Sequence, residues 1–313
     1  MEGLLNLTFA ADFLGSSLRL AVPLTFATIG GMMSERSGVY NIGLEGMLLL
    51  GAFGAAVGAF FTHSAFGGLV MGTGLGAAGG IFLAALAVSL GVNQLVAGIA
   101  INMFAIGLTS FLSRVVFEGK ATTMSLPGFK PVAIPLLSKI PVVGPVFFHQ
   151  DLLVYVMYAA IPLLYWLLFY TPWGLNIRAV GEYPRAADTA GVSVRAVRYG
   201  CVIASGILAG LGGCHLVLSQ VFLFTEHMSA GKGFIALAAI ILGRWNPAGG
   251  FLACFLFGAC EALQLRLQFY HPQIPYQIFS MLPYVASILA LIGIVGKANP
   301  PASAGIPYER EGK

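Results

Sequence analysis

The stretch Phe66–Leu90 reads FGGLVMGTGLGAAGGIFLAALAVSL, and it decides the fold. It carries no charged residue, and it is long enough to cross a bilayer, since a spanning helix needs about 20 predominantly apolar residues. Within it Gly68, Gly72, Gly76 and Gly80 recur every four residues, which places them on one face of a helix. Gly54 and Gly58 repeat the spacing upstream, as do Gly206 and Gly210 downstream. Small residues at this interval let helix backbones approach closely in lipid, where packing must replace the hydrophobic effect. The stripe predicts a tightly packed bundle and leaves its task open, because receptors and membrane enzymes use the same device.

The rest of the chain has the same character. Of its 313 residues, 58% are hydrophobic and 9% charged, and the mean hydropathy is +0.88. Soluble domains carry roughly 25% charged residues, and no soluble fold could hide this much apolar surface. Nine apolar segments stand out: 14–33, 39–61, 66–90, 95–115, 151–170, 199–223, 233–243, 249–268 and 277–296. They predict an all-α polytopic transmembrane helix bundle of roughly eight to ten membrane segments, forming a single transmembrane domain over 1–313. Segment 233–243 is too short to span alone, which suggests a broken or tilted element.

A net charge of +4 fits membrane topology better than nucleic-acid binding, and no basic cluster with interleaved aromatics points to nucleic acid. Cys201, Cys214, Cys254 and Cys260 fall inside apolar runs without a metal-type pair and read as small buried hydrophobes. Residues 1–12 hold Glu2 and Asp12 but no Lys or Arg, so the basic region of a signal peptide is missing and the first helix is expected to stay as an anchor.

Two long connections remain. Connection 116–150 is rich in proline (Pro127, Pro131, Pro135, Pro141, Pro145), and 171–198 carries Arg178, Arg185, Arg195 and Arg198 against Glu182 and Asp188. The positive-inside rule makes the second cytoplasmic. Alternation then puts 116–150 and the N-terminus outside and the C-terminus inside, in agreement with Lys297, Arg310 and Lys313. Lys120, Lys130 and Lys139 in the outer connection weaken the bias.

Polar residues inside apolar runs are the functional candidates. In the stretch from Ser34 to Gly46, Glu35, Arg36 and Gly38 suit a turn at the membrane face, and Asn41, Gly43, Glu45 and Gly46 enter the following helix. A spanning Glu is costly unless it meets protein or water, and neighbouring glycines can free backbone groups to line a path. The alternative is a Glu45 at headgroup level, paired with Arg36. In 171–198, Pro184 suits the first turn of a helix and Gly191 its stop, with Arg185 to Ala190 forming two turns between them. Such a helix is either a docking plug or an amphipathic connector lying in the headgroups.

Asn93, Gln94, Asn102, His215, Gln220, Glu261, Gln264 and Arg266 complete the intramembrane polar set. Glu261 is the costliest, and its spacing to Arg266 excludes an i,i+4 pair. His215 and the amides read as interhelical hydrogen bonders. Phe222, Phe224, Phe234, Tyr270 and Tyr276 make either an aromatic belt or a ring-stacking vestibule. No GxxxxGK[ST] loop, HExxH or GxSxG motif occurs, although Gly-Lys appears at 119–120, 231–232 and 296–297. The chain is therefore not expected to be an enzyme.

Two of these stretches and one further segment carry a resemblance. Ser34-Glu35-Arg36-Ser37-Gly38-Val39-Tyr40-Asn41-Ile42-Gly43-Leu44-Glu45-Gly46-Met47 resembles the signature of permease subunits of ABC importers in the branched-chain amino acid/ribose superfamily, nearest the nucleoside and simple-sugar branch. The run from Gly174 to Val192 looks like that family's cytoplasmic coupling loop, and Gly243-Arg244-Trp245-Asn246-Pro247 matches the segment after its short late helix. Likeness extends over about 14–296. Permeases of ABC importers often carry EAAxxxG in the coupling loop; here Arg185-Ala186-Ala187 with Gly191 keeps all but the Glu, and Tyr183 stands where Asn or Ser is expected.

The resemblance implies a permease in the bacterial plasma (inner) membrane. Its partners would be two ATPase subunits, an extracytoplasmic substrate-binding protein and a second, related but different permease. ATP and magnesium would sit on the ATPase, with no cofactor or metal on this chain. Arg178, Glu182, Pro184, Arg185, Ala187, Asp188 and Gly191 would dock the ATPase, and Asn41, Gly43, Glu45, Gly46 and Glu261 would line or shape the path. An ion-gradient-driven secondary transporter using Glu45 and Glu261 is the competing reading; a lipid-acting membrane enzyme lacks any nucleophile or metal set.

Overall fold

A computed structural model describes residues 7–118, 125–135, 137–140, 143–271, 273–293 and 299–309. The long helices are α1 (Leu7–Arg36), α2 (Leu44–Thr62), α3 (Ala65–Ala84), α4 (Gln94–Val116), α6 (Leu152–Tyr170), α9 (Val194–His215) and α11 (Pro247–Tyr270). Shorter helices are α5 (Val143–Phe147), α7 (Pro172–Glu182), α8 (Pro184–Thr189), α10 (Lys232–Leu242), α12 (Tyr276–Ser280) and α13 (Leu282–Gly293). Single π turns, Ala85–Ser89 and Leu216–Val221, extend α3 and α9. Among the described residues, seven helices are long and apolar enough to cross a membrane. Eight of the nine apolar segments each fall on one of these helices with its π extension, whereas 277–296 is divided between α12 and α13 and ends outside the described residues; the chain is an all-α polytopic bundle.

Local chemistry explains the boundaries. Asn93 accepts from the N–H groups of Leu95 and Val96 to start α4, Asp151 from Leu153 to start α6, and Asn246 from Ala248 and Gly249 to start α11. Pro172, Pro184 and Pro247 occupy first-turn positions, where no N–H is needed. Pro23 lies inside α1 and cannot donate to the carbonyl of Arg19. That carbonyl accepts instead from Gln220 Nε2 at 2.8 Å, so a helix-breaking residue is tolerated because a neighbouring helix satisfies what it frees.

The glycine stripe of α3 packs between α2 and α9. A Cβ on Gly76 would lie 2.5 Å from the carbonyl oxygen of Gly206, and one on Gly72 would meet Cys214 Sγ and lie 2.5 Å from the carbonyl oxygen of Gly51. Gly68 faces Ala55 and Ala59, and Gly80 faces Val202. At each of the four positions a backbone atom of the neighbouring helix is within 3 Å of where the Cβ would stand. α1 lies across the bundle against α9 and α11.

Connection 116–150 holds a two-stranded antiparallel hairpin, β1 (Val132–Ala133) with β2 (His149–Gln150), besides α5. Leu126 and Phe129 donate backbone bonds of 2.7 Å to Phe222 and Leu218, docking the connection on the π turn of α9. The start of α1 is on this side too, while the end of α1, the start of α9, α7, α8 and the segment 299–309 meet at the opposite face. Lys120, Lys297, Arg310, Lys313 and Pro141, used to read sidedness and connection composition, lie outside the described residues.

Candidate functional site

Between α1 and α2 the backbone is not helical. The turn at Ser37–Gly38 forms as the sequence suggests, with Gly38 in the left-handed region at φ +91°, but α2 begins only at Leu44. Residues 37–43 are buried or half-buried, and protein groups supply partners for their backbone. Tyr40 N donates to Gln94 Oε1 at 2.7 Å, and the carbonyl of Ile42 accepts from Asn102 Nδ2 at 2.9 Å. Asn102 Oδ1 in turn accepts from Gly46 N at 2.8 Å, and Asn41 Nδ2 donates to Ser205 Oγ at 2.8 Å. Asn102 stands about 12 Å along α4 and Ser205 about 16 Å along α9 from the face where those helices begin. The irregular segment therefore dips well into membrane depth, where such backbone is tolerated only inside protein or beside a water-filled path.

Glu45 closes this junction. Its Oε1 accepts from Ser229 Oγ at 2.6 Å and Gly231 N at 2.8 Å, and its Oε2 accepts from Gly233 N at 2.6 Å. The carboxylate thus sits on the N-terminus of α10, where orphan N–H groups and the helix dipole favour negative charge. Glu45 does not pair with Arg36, the alternative left open by the sequence. Arg36 donates twice to the carbonyl of Trp245, at 3.1 and 2.8 Å, just beyond the other end of α10. Trp245 Nε1 donates to Glu35 Oε2 at 2.6 Å. One polar stretch, Glu35 to Glu45, therefore holds both ends of a helix only about 16 Å long.

Two cavities flank α10. One of about 250 Å³ is lined in part by Lys232, Glu261, Gln264, Ser280, Tyr284 and Phe257. In its wall Lys232 Nζ donates to Glu261 Oε1 at 2.6 Å. The other, of about 400 Å³, lies between Tyr40, Ile42, Leu95, Leu237, Ile241 and Trp245. The first offers a paired cation and carboxylate, an amide, two hydroxyls and an aromatic face. That set suits a neutral solute with several hydroxyl or amide groups.

A separate element stands at the face shared by the ends of α1 and α10. Thr171 caps α7, which runs to Glu182, and α8 follows at once from Pro184. Gly191 takes φ +86°, and the N–H of Val192 closes back on the carbonyl of Ala187 at 2.9 Å. Ala187 is buried against Val180 and Val194, while Arg185, Ala186 and Thr189 are exposed and Asp188 half-buried. Arg178 lies over the Phe169 ring at 5.4 Å, and Glu182 Oε2 accepts from Ala302 N at 3.2 Å. Where the sequence suggested one two-turn helix inside a connection, two consecutive helices form.

A family described as branched-chain amino acid transport system / permease component matches residues 13–292. The chain belongs to this family. The guanosine ABC transporter permease protein NupQ of Bacillus subtilis (strain 168) is 40% identical to it over 94% of this chain and 95% of its own. The nucleoside ABC transporter permease protein NupC of Lactococcus lactis subsp. cremoris (strain MG1363) is 38% identical, over 92% and 93%. A putative glucose ABC transporter permease protein of Haloferax volcanii, TsgC13, is 37% identical, over 84% and 79%. No solved structure matches.

The fold thus gathers Asn41, Gly43, Glu45 and Gly46 of this ABC permease at one junction and brings Glu261 within one side chain of it, through Lys232. Two expectations change. Gly46 does not loosen α2, which is continuous from Leu44; a Cβ there would lie 2.9 Å from the carbonyl oxygen of Ile101, so the glycine permits contact with α4. Glu45 is committed to three donors, and Glu261 to Lys232, which leaves neither as an open ion site. Arg266 stacks on Phe9 and Phe13, at 4.5 and 5.3 Å. The aromatic group divides, since Phe224 is core against Phe53, Phe234 and Tyr270 are exposed, and the Tyr276 side chain lies outside the described residues. Sequence reading missed Lys232 and Ser229. A lysine opening an apolar segment too short to span was the available signal.

Proposed function

We propose that this permease forms, with a second and related but different permease, the path of an ATP-driven importer for nucleosides or a related simple sugar. The observation that carries the reading is the match to nucleoside permeases at 38–40% identity over more than nine-tenths of the chain. The small cavity beside α10 supports it, because its mixed donors and acceptors with Tyr284 and Phe257 suit a sugar ring or a base without demanding charge. Asn41, Gly43, Glu45, Gly46 and Glu261, with Lys232, shape this path. Glu45 fixes the N-terminus of α10, and the Lys232–Glu261 pair faces the solute.

In this reading Arg178, Glu182, Pro184, Arg185, Ala187, Asp188 and Gly191 make the element that docks an ATPase subunit. α8 suits the role because Ala187 anchors it while Arg185 projects outward. ATP and magnesium bind the ATPase, and ATP is hydrolysed there. An extracytoplasmic binding protein delivers the solute. The α8 face is cytoplasmic, the connection 116–150 and the start of α1 lie outside, the 299–309 segment lies inside, and one transmembrane domain spans 1–313 in the bacterial plasma membrane.

Purification of the tagged chain from its own cell in mild detergent tests the reading. An ATPase and a second permease in near-stoichiometric amounts, with ATP-dependent guanosine uptake into proteoliposomes, are expected. Activity of the chain alone without ATP would overturn it.

A further inference from the structure

The segment 299–309 straps the α7–α8 element to the α1–α2 turn. Ser303 Oγ donates toward the carbonyls of Val180, at 3.1 Å, and Gly181, at 2.6 Å, and Ser303 N donates to Gly181 at 2.9 Å. These are among the last carbonyls of α7, which have no partner within the helix. Gly305 N reaches the carbonyl of Gly38 at 3.3 Å. Arg198, near the start of α9, is 1% exposed. Its Nε donates to the carbonyl of Ser37 at 3.2 Å and its Nη1 to that of Ile306 at 3.0 Å. A Cβ on Gly38 would lie 2.8 Å from both Arg198 Nη2 and Ser303 Oγ, so turn, strap and guanidinium meet at one point.

A buried guanidinium held by backbone carbonyls of two separate segments is a costly way to gain stability, since apolar residues of similar volume often serve as well. It does fix the segments relative to one another. The turn it grips leads directly to Asn41 and Glu45, and Glu45 holds α10. We propose that Arg198 and Ser303 are positioning residues for energy coupling, which make α8 and the Ser37–Gly38 turn one mechanical body so that displacement of α8 reaches the junction in the path. The inference rests on the reading of α8 as the ATPase-docking element.

The assembled transporter, reconstituted in proteoliposomes, is measured for tritiated guanosine moved per ATP hydrolysed and for the amount of ATPase bound, with Ser303→Ala and Arg198→Lys variants. Ser303→Ala is expected to assemble and hydrolyse ATP as the unaltered complex does, yet to move about fivefold less guanosine per ATP. Arg198→Lys, which keeps the charge but loses the fork, is expected to fall further. If Arg198→Lys does not assemble, Ser303→Ala decides alone. An unchanged ratio in assembled Ser303→Ala complexes overturns the inference and leaves the docking reading standing. An unaltered chain that recruits no ATPase overturns both.

Discussion

The indole of Trp245 donates to the carboxylate of Glu35 at 2.6 Å across a sequence separation of 210 residues. Both side chains are buried, at 4% exposure each. Trp245 and Arg244 hold left-handed backbone conformations, φ 51° and 54°, which non-glycine residues adopt only where their surroundings impose them. Glu35 and the two Arg36 bonds supply those surroundings.

Replacing Trp245 by phenylalanine keeps the bulk and removes the donor. A buried carboxylate left without it costs about 1–3 kcal/mol. The thermal midpoint of Trp245→Phe in detergent is expected to fall, while Glu35→Gln, which retains an acceptor, falls less. Equal midpoints for the two variants and the unaltered chain would show that the carboxylate has another partner.

The glycine stripe yields a paired test within one helix. A side chain at Gly72 has to displace the backbone of α2, whereas a Cβ on Gly74 meets nothing within 4 Å. Overpacking of this kind costs about 1–3 kcal/mol or more. Gly72→Leu is expected to lower thermal stability clearly and Gly74→Leu to leave it nearly unchanged. The reverse order would turn α3 around in the bundle.

How far these features could be read from the chain depended on distance along it. Apolar runs gave the spans directly, and the four-residue glycine spacing named the packed face, since both are local periodicities. α8 was readable because Pro184 and Gly191 are local start and stop signals. α7 was not, because Arg178 and Glu182 drew attention as loop charges. The partners of Glu45 lie 184 to 188 residues away, and nothing local points to them. Val39 and Ile42 extended the apolar run of α2 back over residues that are not helical, which concealed the irregular backbone at membrane depth.

The Lys232–Glu261 pair separates structural from functional cost. Lys232→Met leaves Glu261 without its cation in a partly buried site, and with Glu261 a quarter exposed the loss is roughly 1–3 kcal/mol. Adding Glu261→Gln removes the uncompensated charge, so the double variant is expected to regain most of that stability. Guanosine uptake is expected to stay low in both. Uptake recovering along with stability would assign the pair to folding and remove it from the path.

The proposed docking through α8 makes the sharpest demand on function with the least on fold. Asp188→Arg with Arg185→Glu reverses the charges the helix presents but leaves its anchor, Ala187, and its stop, Gly191, untouched. Arg185 is exposed and Asp188 half-buried, and exchanging the two charges is expected to cost on the order of 1 kcal/mol or less. The double variant is therefore expected to insert and purify in normal amounts, to lose the co-purifying ATPase and to abolish uptake. Charge complementarity is the reason, because a reversed pattern sets like charges against each other across the interface. Normal uptake by this variant, measured at matched protein levels, would move the docking surface off α8.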